Sequence, residues 1–131
     1  MTPPTDEEEI IQDPRKSKAF KRLEKKLTID LLFIWVLRLL KEGPKYAYEL
    51  KNEFQEKFGF SPATVTNYTV LYLLEKEGIV KRVEATSEGE RIDRKYYATT
   101  ELGEQLMEQS DKFLCEIYNK LFPEKTMNGN K

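Results

Sequence analysis

From Leu27 to Leu40 the chain carries apolar side chains on nearly every face that a helix would present, broken mainly by Asp30 and Arg38. A helix that is apolar all round has to be covered on several sides, here by its own domain and by a second subunit. The run ends at Gly43-Pro44, because proline lacks the next helical N–H and restricts the residue before it. It is shorter than the roughly 20 residues that cross a bilayer, so a buried helix is expected and a membrane span is not.

Tyr46, Leu50, Phe54 and Phe58 then recur every four residues. This spacing predicts a helix over 45–57 with one apolar face, and it turns Glu49, Glu53 and Glu56 toward solvent. Ser61-Pro62 supplies an N-cap hydroxyl followed by proline at the first helical position, so a third helix is expected from there to about Glu77. Gly78 suits the left-handed position that closes it. Residues 79–85 and 92–98 have strand composition, and 86–90, containing Gly89, would join them as a hairpin.

Thr100 can cap a last helix in which Leu102, Leu106, Phe113, Ile117 and Leu121 make one stripe, widened by Met107, Leu114 and Tyr118. One small domain does not cover that much apolar surface, which predicts a subunit interface. The residues expected in it are Leu31, Ile34 and Trp35 on the first helix, and Leu106, Phe113, Leu114, Ile117, Tyr118 and Leu121 on the last.

The 131 residues suffice for one ordinary domain with tails. Net charge is −1, but its distribution is uneven: residues 1–14 hold five acids and no base, and 15–26 hold seven bases against Glu24. The first block is expected to be disordered, and the second to be a basic lead-in able to form a helix. A solvated helix extension is the plainer account of the lead-in. Reaching a duplex is the functional one, with the acidic block competing for the same surface. The N-terminus has no basic and apolar signal segment, and a lone Cys115 beside Phe113, Leu114 and Ile117 fits a small buried hydrophobe. Both suit a cytoplasmic protein.

Three helices, a two-stranded hairpin and a further helix are the order of a winged helix-turn-helix. The expected fold is thus mainly α with a small two-stranded β wing: a DNA-binding domain over 27–99, a dimerisation helix over 100–122 and a disordered tail over 123–131. Recognition helices put their first turns into the major groove, where Asn pairs with adenine and Thr bonds a base or packs on a thymine methyl. The residues expected at double-stranded DNA are Lys45, Tyr46, Ser61, Thr64, Thr66, Asn67 and Tyr68, with Arg91, Arg94 and Lys95 from the hairpin. Against this stands the plainer account, that the hydroxyl and amide residues only cap a solvated helix and the wing charges pair among themselves.

At this point the chain resembles the PadR family of transcriptional regulators over roughly residues 28–108. Four patches carry the likeness in order: Glu42 to Leu50 with its Tyr48-Glu49-Leu50; Thr66 to Leu71 followed by Leu74 to Val80; Arg94-Lys95-Tyr96-Tyr97; and Thr100-Glu101-Leu102-Gly103. Ala47 and Val65 stand where the family customarily has glycine, and Tyr72-Leu73 occupies positions that are often basic. The resemblance implies a dimer built through the first and last helices and two recognition helices reading a pseudo-palindromic operator, most simply as a repressor. It further implies that a small apolar effector could bind at the dimer interface, as in some relatives, where Trp35, Phe33 and the last helix would line the site. A tryptophan on a buried helix is otherwise plain core.

Catalysis is not expected. The chain has no histidine, no cysteine pair, no Gly-rich phosphate loop and no acidic cluster at metal-ligand spacing; the Glu49, Glu53, Glu56 series fits a solvated face. No cofactor or metal is implied. The competing class is a winged-helix module that binds another protein through its hairpin or last helix.

Overall fold

A computed structural model describes residues 10–84 and 94–125. Most of the acidic tail, the expected hairpin connection at 86–90, Arg91 and the last residues from 126 lie outside the described residues. The chain divides into two compact units, 1–32 and 33–131.

In the first unit, the Asp13 carboxylate accepts from the Arg15 N–H at 3.0 Å and opens a 3-10 turn at Pro14–Lys16. Ser17 then caps helix α1, Lys18–Leu27, its hydroxyl accepting from the Phe20 N–H at 3.1 Å. Thr28, at φ −112° and ψ −87°, leaves the helical region and bonds its hydroxyl back to the Glu24 carbonyl. The apolar run is therefore not one helix from residue 27: a 3-10 turn at Ile29–Leu31 intervenes, and α2 covers Leu32–Leu40. β-branched Thr28, a weak helix former, occupies the C-cap position at this break.

In the second unit α2 buries Val36, Leu37, Leu39 and Leu40. Lys45 and Tyr46 do not begin a helix as expected; they form a short strand, β1, whose partner is far along the chain. Helix α3 is Ala47–Glu53, and its Glu49 carboxylate accepts from the Tyr46 N–H at 3.4 Å. A π-helical turn, Phe54–Phe58, follows and closes at Gly59 with φ 78°. Leu50 and Phe54 lie fully inside, as their four-residue spacing requires.

Ser61 does not cap the next helix. α4 runs Thr64–Lys76 with Ala63 in the capping position, and Pro62 is buried ahead of it. Gly78, at φ 78°, ends this element in the expected left-handed conformation. Strands β2 (Val80–Val83) and β3 (Tyr96–Thr99) pair antiparallel, Val80 opposite Thr99 and Val83 opposite Tyr96. β1 adds to the other edge of β3, Lys45 opposite Tyr97, so the sheet has three strands in the order β1-β3-β2 rather than two.

Helix α5, Glu101–Leu121, starts from Thr100, whose hydroxyl accepts from the Gly103 N–H at 3.1 Å and donates to the Gly78 carbonyl at 2.6 Å. A Cβ on Gly103 would meet the Ile79 carbonyl oxygen and lie 2.6 Å from Thr99 Cγ2. Backbone on that side cannot give way, so Gly103→Ala should destabilise the fold by about 1–3 kcal/mol through overpacking. Urea unfolding followed by circular dichroism would show it as a lowered midpoint; an unchanged midpoint would mean that α5 is free to shift off the sheet.

Candidate nucleic-acid interface

Which face of α4 looks outward depends on its buried positions. Asn67, Leu71 and Leu74, at i, i+4 and i+7, are all inside and fix the helix rotation as one stripe does. Asn67 is only 1% exposed, and its Nδ2 donates to the Ala47 carbonyl at 2.9 Å, tying α4 to the first turn of α3. Its Oδ1 is also buried. Asn67 is therefore not placed to read adenine, contrary to expectation; its amide serves a helix-to-helix hydrogen bond.

The outward arc consists of Val65, Tyr68, Thr69, Tyr72, Leu73 and Lys76, with Thr64 at its N-terminal edge. Val65 is 77% exposed, and Tyr68, Tyr72 and Leu73 are each more than half exposed. Such a surface suits packing on thymine methyls and sugars better than bidentate hydrogen bonding. Lys51 Nζ donates to the Thr64 hydroxyl at 2.9 Å, and Lys76 Nζ lies 5.7 Å from the Tyr72 ring centre. Both cations border the arc. The Thr69 hydroxyl bonds back to the Val65 carbonyl, Thr66 is half-buried, and Ser61 is exposed ahead of the helix.

Lys45 is likewise not available to phosphate. It is 8% exposed, with Nζ 2.9 Å from Glu53 Oε2 and 3.4 Å from Glu42 Oε1. Lys57 completes the group, 2.6 Å from Glu42 and 3.1 Å from Glu53. The hydrogen bond from Lys57 lowers the Glu42 carboxyl, and Glu42 in turn raises the Lys57 ammonium. Glu53 thus turns inward to two lysines instead of joining a solvated glutamate face. This cluster pins β1 beside α3.

In the wing, the Arg94 guanidinium sits 4.1 Å from the centre of the Tyr46 ring, which meets Tyr96 edge-on at 5.5 Å. Tyr46 is accordingly half-buried between them. Arg82 pairs with Glu75 at 3.0 Å, and Lys81 and Lys95 are exposed. Burial raises the Tyr97 phenol. Arg91 lies outside the described residues.

The sequence pattern of the transcriptional regulator PadR-like family matches residues 36–109. The chain belongs to that family. PadR-like proteins are transcriptional regulators rather than enzymes, and membership makes DNA-binding regulation by a winged helix the activity of this chain. Among solved structures, a PadR family transcriptional regulator from Eggerthella lenta is 22% identical with a TM-score of 0.62, over 86% of this chain and 100% of that one. A PadR family transcription regulator from Clostridium difficile is 26% identical with a TM-score of 0.55, over 68% and 95%. A PadR-like transcriptional regulator from Bacillus cereus is 24% identical with a TM-score of 0.58, over 75% and 95%. No curated protein matches the chain.

Sequence reasoning missed Val65, Tyr72 and Leu73 as the outward side chains of this PadR-like helix. Their departure from the family's pattern was the available signal. On α5 the apolar stripe is solvent-facing in the single chain: Phe113 is 59% and Leu121 66% exposed, with Leu102, Leu114, Ile117 and Phe122 also exposed. Leu106 and Tyr118 are half-buried, the latter 5.2 Å from Phe122. Cys115 is buried, and burial raises its thiol with the neighbouring Asp111 carboxylate adding to the effect. Trp35 meets Phe58 and Phe60 edge-on at 4.8 and 5.2 Å within its own chain, while Ile34 and Leu31 are half-buried. Among the described residues no helix is long and apolar enough to cross a membrane.

Asn67→Ala removes the donor to a buried carbonyl, so a loss of about 1–3 kcal/mol of folding stability is expected. Base preference of the folded fraction should stay the same. Denaturation curves alongside duplex selection separate the two; a changed base preference at unchanged stability would return Asn67 to the groove.

Proposed function

We propose that this PadR-like protein is a cytoplasmic homodimer that recognises a pseudo-palindromic duplex through two copies of α4 and represses the promoter it occupies. The supporting observation is the rotational setting of α4, which buries Asn67, Leu71 and Leu74 and leaves Val65, Tyr68 and Tyr72 outward. In this reading Val65 and Tyr72 pack against base methyls, Tyr68 bonds or stacks at the groove wall, and Thr64 with Lys51 approaches phosphate at the helix N-terminus. Lys95 and Arg94 meet the backbone beside the groove, as Arg91 would from the wing.

Dimerisation is assigned to the exposed stripe of α5. Phe113, Ile117 and Leu121 repeat at four-residue spacing on one face, and an apolar row of that length favours a second copy over water. Leu31, Ile34, Leu106, Leu114 and Tyr118 are proposed to border the same interface. A repressor bound this way acts by occupying the promoter, which needs no chemistry at the site.

A groove of about 760 Å³ favours the added reading of a small apolar effector. It is lined by Ile34, Trp35, Leu37, Met107 and Leu114 among apolar residues, and its edge carries Arg38, Glu104 and Asp111. That volume is within the range of small-molecule sites. Phe33, expected there, is not among its walls.

Selection from random duplexes followed by salt titration should yield one motif bound about 10³-fold or more tighter than bulk duplex. Tyr68→Ala should cut the preference by roughly tenfold, as expected when an interaction of about 1–3 kcal/mol with the bases is removed. Recovery of no motif, together with capture of a protein by the wing or α5, would favour the protein-interaction module instead. Ile117→Glu should give a monomer in analytical ultracentrifugation and weaken operator binding; an unchanged dimer would remove α5 from the interface.

A further inference from the structure

Helix α1, Lys18–Leu27, lies ahead of the residues that carry the family pattern. Its side chains divide cleanly by helical spacing. Ala19, Phe20, Leu23 and Leu27 fall on one arc, and Lys18, Lys21, Arg22, Lys25 and Lys26 fall together on the opposite arc. All five bases are exposed, while Ser17 and Thr28 close the two ends.

That arrangement works against the helix on its own. Lys18 and Arg22, Lys21 and Lys25, and Arg22 and Lys26 are like charges at i,i+4, and such pairs repel. The first turn holds no acid, so Lys18 and Lys21 also face the positive end of the helix dipole. Asp30 answers only part of this, at 3.7 Å from Lys25 and 3.3 Å from Lys26. Among the described residues Lys18, Lys21 and Arg22 have no acidic partner. Five aligned cations on a ten-residue helix are relieved by a polyanion.

Helix α4, by contrast, has Lys76 as its sole base. A duplex is held mainly through phosphates, and an outward face of Val65, Tyr68, Tyr72 and Leu73 supplies few cations for that purpose. We propose that α1 is a second duplex-contacting element, whose arc of Lys18, Lys21, Arg22, Lys25 and Lys26 binds the phosphate backbone without reading sequence. The proposal rests on the reading of α4 as the element that reads the duplex. The division of labour is then one helix for sequence and one for charge. An anionic membrane surface is the other polyanion that fits a basic amphipathic helix, but the apolar arc of α1 is narrow and contains no tryptophan, and the family acts on DNA.

The test compares the full chain with the triple variant K18Q/K21Q/R22Q, and with the charge-retaining K18R/K21R/R22K, on the selected duplex and on bulk duplex across a salt series. Removing one cation from a phosphate lowers the log–log salt slope by about 1, so a drop of up to about 3 per chain is expected for the glutamine variant. Its affinity should fall by about tenfold or more, by the same factor on both duplexes, with the base preference intact. The charge-retaining variant should behave as the parent, and circular dichroism should show equal helix content in all three.

A glutamine variant whose slope and affinity equal the parent's on both duplexes overturns the proposal, while a motif still selected by the parent leaves the reading of α4 standing. A parent with no base preference fails that earlier reading, yet the slope on bulk duplex still decides this one. Sedimentation with vesicles of phosphatidylcholine and phosphatidylglycerol covers the remaining case. Vesicle binding abolished in the glutamine variant, with the duplex slope unchanged, assigns the arc to membranes and overturns the proposal.

Discussion

The Asn67 amide donates to the Ala47 carbonyl inside the helix-turn-helix, with Leu71 and Leu74 buried on the same side of α4. Because a buried carbonyl left without a donor is costly, this bond sets both the spacing of α3 and α4 and the rotation of α4 about its axis. Every proposed contact with DNA inherits that rotation. Turned by one residue position, the helix would show solvent a different set of side chains.

Around this bond, the rest of the winged-helix unit is held by two clusters, the first of which also withholds Lys45 from phosphate. Lys45, Glu42, Glu53 and Lys57 join β1 to α3 through ion pairs of 2.6 to 3.4 Å. Tyr46, Tyr96 and Arg94 stack where β1 meets β3. Exposed ion pairs contribute little to stability, but Lys45 and Glu53 are largely buried and would be costly to separate. On the far side, the Thr100 cap and the bare Cα of Gly103 bring α5 against the Ile79 carbonyl, and α5 then carries its apolar stripe out from the sheet. Recognition surface and stripe therefore descend from separate parts of one unit.

Much of this was legible in the sequence because local rules wrote it. Gly78 and Thr100 mark ends that any chain would make there, and the four-residue spacing of Leu50 and Phe54 names a core face without reference to the remainder of the fold. What was not legible depended on partners remote in the chain. β1 is two residues long and exists only because Tyr96 and Tyr97 lie beside it, some fifty residues later; the helical pattern running through Tyr46 concealed it. The phase of α4 was hidden for a different reason: Val65, Tyr68, Val70, Leu71, Tyr72, Leu73 and Leu74 place apolar groups all round the helix, so no single face announced itself as core. In that setting an asparagine fits a DNA groove and a helix-to-helix hydrogen bond equally well, and only the position of Ala47 decides between them. Thr28 likewise fits a continuous apolar helix by pattern alone, and only its backbone angles, φ −112° and ψ −87°, mark the break.

Two copies of α4 are proposed to face one side of a dimer, a turn of duplex apart. Pulsed dipolar spectroscopy measures this directly on a Cys115→Ser chain carrying one spin label at Val65→Cys. A single separation near 34–36 Å is expected between the two labels in the free protein, the spacing of adjacent major grooves on one face of B-DNA. The absence of any paired-label signal, or a separation that no duplex could bridge, would contradict it.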